Sequence, residues 1–388
     1  DKFGPTDKPL SFVINMKINQ YQYLDGAWDQ AFEPTTGNAW ILAFGQRGVL
    51  SEAVASLQNA YPNASLVASS TSGEIHGDEV HDNSVTANVV VFDKTTTKLV
   101  AFHCPNSASS AATGEQLGKA LAAPHLKHVF VVSNGLTVNG TALASSLQQA
   151  VGAGVSISGG LAGDGADFKE TLVIAGAETA TDLVAAVGFY GEEFSVSCGS
   201  WGGWQPFGPI RVVTKSEGSV LHELDDKSAL SKYKEYLGEQ AGSLPANALL
   251  FPILIQPANS DRKMVRTVLA IDEEAQTMTF AGDVPLGATV QLMRSNTESL
   301  VDGAKLAAEK SHEGRSDQAQ LAILVSCVGR KLVMKQRVEE EVEAVREVLG
   351  PQAAVTGFYS YGELSPRQTG APCDLHNQTM TVTLLSEA

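Results

Sequence analysis

Short runs of consecutive apolar residues alternate along this chain with stretches of helical period, and the alternation recurs three times. In each copy an apolar strand is followed by a polar loop, an amphipathic helix, a second strand and a turn pairing glycine with an acid. The first copy reads AWILAFGQ (39–46), GVLSEAVASLQNAY and SLVASSTSGEI, ending near Ile75. The second reads HVFVVSNG (128–135), TALASSLQQAVGAG and VSISGGLAGDG, ending at Gly165. The third reads LAILVSCVG (321–329), RVEEEVEAVREVLG and AVTGFYSYGEL, ending at Leu364. Helices are predicted where apolar residues fall three or four apart, as with Val338, Val342, Val345 and Val348, before the stop at Gly350-Pro351.

After each turn the period changes to two. Residues 86–92 and 98–104 alternate around DKTTT and predict a hairpin, and 171–174, 183–190 and 194–198 suggest a similar arrangement. Copies one and three also share a polar lead-in, His81-Asp-Asn-Ser-Val-Thr matching His376-Asn-Gln-Thr-Met-Thr, each ahead of a terminal strand. This repeat predicts an α/β fold of mixed sheets with helices packed outside. Between copies two and three the pattern differs. A helix is predicted over 227–237, a buried run over 248–255 (ALLFPILI), and a hairpin from 264–271 and 277–280. Residues 256–262 (QPANSDR) read as a linker or as a turn within one sheet.

A length of 388 residues suggests two or three domains at about 150 residues each. The 43% apolar and 18% charged content belongs to a globular chain, and a net charge of −16 opposes binding to nucleic acid or to anionic membrane surfaces. No apolar run is long enough to span a bilayer, and the first ten residues lack the pattern of a signal peptide. Four cysteines without a CxxC pair point to a reducing, cytoplasmic setting rather than a disulfide framework or a zinc site.

Enzyme signatures are sparse: P-loop, GxGxxG, GxSxG and HExxH are all absent. The turns Gly73-Glu74, Gly163-Asp164 and Gly362-Glu363 would place carboxylates at strand ends, to hold a ligand amine or to accept backbone N–H groups. Cys373 and His376 are the one pair of soft ligands near chelating distance, and two ligands do not make a metal site. Trp201-Gly-Gly-Trp204 sets two tryptophans beside glycines, as a wall for a flat ligand or as cover for a sheet edge.

Several blocks resemble a known family. SLVASSTSGEI, ISGGLAGDGADFKETLVI and GGWQPFGPIRVVTKSEGSVLHELDDKSALSKYKEYLG resemble the FIST N-terminal domain. VLAIDEEAQTMTFAGDVPLGATVQLM, GFYSYGEL and CDLHNQTMTVTLL resemble the FIST C-terminal domain. The resemblance implies an N-terminal segment over 1–37, a FIST N-terminal domain over 38–256 and a FIST C-terminal domain over 257–388. It also implies a cytoplasmic sensory protein of bacterial signal transduction, not an enzyme, similar to the stand-alone FIST proteins that bind haem b and sense nitric oxide. Such a protein would act on a partner histidine kinase and through it on biofilm signalling. His376 is then the expected axial ligand, with Cys373 and His81 as substitutes, Arg367 as a propionate partner and Trp204 as a pocket wall. The alternative is a sensor of a small metabolite such as an amino acid, bound by Asp164, Glu363, Glu74 and Trp201. A third reading is an enzyme using Cys373 or Cys327 as nucleophile with His376 as base.

Overall fold

The computed structural model describes residues 16–35, 37, 39–244 and 246–388. Residues 1–15 and 36 of the segment expected over 1–37, and Asn38, the expected start of the next domain, lie outside that description; Met16–Leu24 is a strand. Seven α-helices are described: α1 (Arg47–Ala60), α2 (Ser110–Leu121), α3 (Gly140–Val151), α4 (Ala229–Leu237), α5 (Thr297–His312), α6 (Val328–Met334) and α7 (Glu339–Leu349). The fold is mixed α/β.

Three of the four sheets are built alike, one around each repeat. At the heart of each, the two apolar strands of a copy run parallel: Ala39–Gly45 beside Ser65–Ser70, Leu126–Ser133 beside Ser156–Leu161, and Leu321–Cys327 beside Ala354–Ser360. A helical crossover between them demands that arrangement. The outer strands are exchanged between copies. The first sheet takes the hairpin Val173–Ala175/Glu178–Ala180 from copy two, and the second takes Gly362–Pro366/Cys373–His376 from copy three. The third takes Glu74–His76/Glu79–His81 from copy one. On the opposite sides lie Met16–Leu24 (itself flanked by the two-residue strand Ala27–Trp28), Thr96–His103 and Phe194–Trp201.

This exchange corrects two expectations. Val85–Phe92 and Thr96–His103 do not form a hairpin, because the first lies in sheet one and the second pairs with Leu183–Tyr190 in sheet two. Likewise Leu183–Tyr190 and Phe194–Trp201 part into sheets two and three. Alternation shows that one face of a strand is buried, and says nothing about which edge accepts it.

The inner faces of the three sheets share one core. Phe44 of sheet one stacks on Phe358 of sheet three at 4.4 Å, and Trp40 meets Phe189 of sheet two edge-on at 4.8 Å. On the outer faces α1 covers sheet one, α2 and α3 cover sheet two, and α5 and α7 cover sheet three.

The fourth sheet is antiparallel and sits between copies two and three. Its order begins at Met264–Arg266 and ends at Val268–Asp272, strands separated by Thr267 alone, so the sheet curls round into a barrel. Helix α4 packs Leu230, Tyr233 and Leu237 into its core. This helix begins two residues later than the pattern suggests, because the Ser228 side chain caps it by accepting from Ser231 N at 3.1 Å. Residues 256–262, where the domain boundary was expected, form the turn between the neighbouring strands Ile253–Gln256 and Met264–Arg266.

Candidate functional site

The acids of the repeated turns lie within the body. Glu74 and Glu363 face Phe358 and Gly160, which hold matching places in their sheets. Glu74 accepts from Thr71 Oγ1, from Ser84 Oγ at 2.7 Å and from Ser84 N at 3.3 Å, tying sheet three to sheet one. Glu363 accepts from Ser360 Oγ at 2.9 Å, Thr379 Oγ1 at 2.9 Å and Thr379 N at 3.1 Å, tying sheet two to sheet three. Burial pushes their carboxyls up to about 7 and about 8 respectively, while these donors pull down. Both hold protein donors in the core, and neither lines the two larger clefts.

Asp164 is not their counterpart. The matching register position in sheet one, opposite Ser69, belongs to Val173, and Leu183 replaces the hydroxyl residue. Both are core residues. An apolar pair thus stands where the other two junctions hold a carboxyl. Asp164 sits in the longer loop ahead of Val173 and accepts from the backbone N–H groups of Phe168, Lys169 and Glu170 at 2.8–2.9 Å, and from the Tyr361 hydroxyl. Burial works to raise its pKa, but these four donors together hold it below the ordinary value.

Cys373 and His376 occupy one strand three residues apart, so they leave it on opposite faces. Cys373 joins the core under α3, and burial pushes its thiol well up. Cys327, also buried, is raised by burial and by nearby Glu363. His81 faces Glu74 as His376 faces Glu363, on a different sheet, so it cannot substitute at the same site. Among the described residues no three His, Cys, Asp or Glu side chains converge for a metal.

His376, Arg367, Trp201 and Trp204 do converge. They line a cleft of about 470 Å³ between the barrel and the body. Trp201 closes its strand 46% exposed, while Trp204 is buried and donates from Nε1 to Gln378 O at 2.9 Å. The glycines between them permit this: Gly203 has φ +79°, and a Cβ there would lie 2.0 Å from Ser299 O on α5. His376 Nε2 meets Ser365 O at 2.9 Å, which leaves Nδ1 for other use. Burial, opposed by that carbonyl, lowers the ring's pKa to about 4, so the imidazole is neutral at pH 7.

Behind the cleft lies a network the pattern did not reveal. Arg330 and Glu341 are fully buried and paired at 2.6 Å, and Glu341 also accepts from Ser326 Oγ at 2.9 Å and Tyr359 Oη at 2.7 Å. Arg330 further donates to the carbonyls of Gly202 and Leu300, bracing the tryptophan turn against α5. A second cleft, about 600 Å³, opens between the loop ahead of α3 and the barrel. Its Asn139 is already engaged, accepting from Ala142 N at 3.0 Å and donating to Asp283 at 3.1 Å.

The model of the FIST N domain matches residues 39–227, and that of the FIST C domain matches residues 229–366. The chain belongs to the FIST family. That family is associated with sensory signalling. The two matched segments meet at Ser228, the cap of α4, and both contribute to the junction cleft. An uncharacterized protein of Mycobacterium tuberculosis is 24% identical over 221 residues, 55% of this FIST chain and 57% of that protein. Another, from Methanocaldococcus jannaschii, is 26% identical over 201 residues, 49% of this chain and 38% of that one. The match thus spans little more than half of the first relative and less of the second. A chorismatase crystal structure aligns with 96% of this chain and 99% of its own at 12% identity, with a TM-score of 0.36, and carries no argument. No helix among the described residues is long and apolar enough to cross a membrane.

Proposed function

We propose that this FIST protein is a cytoplasmic sensor that takes a small molecule in the junction cleft and reports it to a signalling partner, a histidine kinase being the expected one. The observation that carries this reading is the meeting of Trp201 and Trp204 from the FIST N segment, Lys263 and Lys310 from the FIST C segment, and Arg367 and His376 just after it, around one opening. A ligand bridging barrel and body would favour one setting of the two, which is how binding becomes a signal.

Haem b, which the family resemblance suggests, is compatible with the residues at the cleft. His376 would hold the iron through Nδ1, the tryptophans would flank the ring, and Arg367 would pair with a propionate. When bound, haem supplies the iron centre that takes nitric oxide. The neutral state of His376 leaves a lone pair for ligation. Against the amine-binding version of the metabolite reading, Glu74 and Glu363 are fully occupied in the core. Against the enzyme reading, Cys373 and Cys327 are buried thiols held in the protonated form, and Cys373 faces away from His376.

The test is a hemin titration of the full chain followed in the Soret region, then reduction and exposure to nitric oxide, beside His376→Ala. A saturable band that shifts with nitric oxide and is lost in the variant supports both haem and its ligand. A band that survives the variant moves the ligand elsewhere. No saturable band removes haem and leaves the metabolite sensor.

A further inference from the structure

Although the protein carries a net charge of −16, the junction cleft is lined by Arg262, Lys263, Lys310 and Arg367 against a single acid, Asp374. That acid is taken by Arg262. Among the described residues, none of the other three cations meets a carboxylate. Lys310 instead sits over the Trp201 ring, 5.2 Å from its centroid, and Arg367 donates to the Lys263 carbonyl. Unpaired cations gathered in a concave site inside an acidic protein focus a positive potential there.

A second observation points the same way. Asn377, 1% exposed in the cleft wall, has no hydrogen-bond partner for either atom of its carboxamide. The corresponding residue in the first repeat is Asp82, next to His81 as Asn377 is next to His376, and Asp82 pairs with Lys331. At this position the third repeat therefore carries an amide in place of the acid, and that amide is left unmatched. An unmatched buried amide is unfavourable, and a ligand or a bound water would relieve it.

We infer that the cleft selects an anion: a carboxylate carried on a flat, apolar body, the body lying against Trp201 and Trp204 and the carboxylate meeting Arg367 and Lys263. The inference rests on the cleft being the sensory site. The same chemistry belongs to a tetrapyrrole with propionates and to a small free aromatic acid.

Binding to the full chain is measured by calorimetry with four probes: metal-free protoporphyrin IX, its dimethyl ester, 2-naphthoate and 2-naphthylmethylammonium. The expected result is at least tenfold tighter binding of the acid in each pair. The double variant Arg367→Gln/Lys263→Gln, at two exposed positions, is expected to erase most of that preference and to flatten its salt dependence. Preference for porphyrin alone identifies a tetrapyrrole, and preference for naphthoate alone identifies a small acid; both support the inference. Equal binding of the acid and its counterpart in both pairs, unchanged in the double variant, overturns it while leaving the cleft as the site. Binding that ignores Trp201→Ala, or no binding of any probe, overturns the site reading and the inference with it.

Discussion

Glu363→Gln isolates the buried carboxyl that ties sheet two to sheet three. Burial sets its pKa at about 8, opposed by the donors on Ser360 and Thr379, against 4.5 for a free glutamate. The folded state therefore holds the proton more tightly than the unfolded chain. Its contribution is fully present below the unfolded value and is lost as pH rises through about 8. At 1.36 kcal/mol per pH unit, raising pH from 6 to 8 removes about 2 kcal/mol from the wild type. Glutamine stays neutral, keeps an acceptor oxygen for Thr379, and costs about 1 kcal/mol at pH 6. Urea unfolding followed by tryptophan fluorescence, in half-unit steps from pH 6 to 8.5, gives the difference between wild type and variant. That difference cancels the opposite trend from His128 and His376, whose lowered values of about 3 and about 4 make stability rise with pH. The advantage of wild type should shrink by about 2 kcal/mol across the range and change sign at about pH 7. A difference that stays flat or grows with pH refutes the reading.

Glu341→Gln leaves the fully buried Arg330 without its counter-charge and should cost about 3–5 kcal/mol in urea unfolding, whereas replacing both partners by apolar residues should recover much of the loss. Equal losses in the single and double variants would contradict this. Gly159→Ala places a Cβ 1.7 Å from Val131 O at φ +146°, where the strands are too close to yield; a fall of about 3 kcal/mol or more is expected, read by thermal unfolding. All four cysteines are buried, so native protein at pH 7 should resist iodoacetamide and react only after unfolding, as mass spectrometry would report. One rapidly labelled thiol would restore the enzyme reading.

Much of the fold was legible in local pattern. Apolar runs marked the parallel strand pairs, and the valine spacing with Gly350 marked α7 and its stop, because burial of one helix face and a left-handed cap are properties of adjacent residues. The lead-ins at His81 and His376 also occupy equivalent places, each opposite its glutamate. The Trp201–Trp204 turn stood out by composition and does line the cleft.

Partnership between distant segments was decided only by the tertiary structure. The repeats exchange hairpins because each sheet offers an open edge to the next copy, and a period of two is the same whichever edge is taken. The Gly163-Asp164 pair imitated its two counterparts in sequence, yet register gives that place to Val173. The cations of the cleft come from a barrel turn, from α5 and from the loop after Gly362–Pro366, and no local spacing links them. Sequence determined which residues must be buried and how each segment coils, since those depend on neighbours a few residues away. Which charges share a cavity depended on how the three sheets and the barrel close upon one another, and that is set by packing across the whole chain.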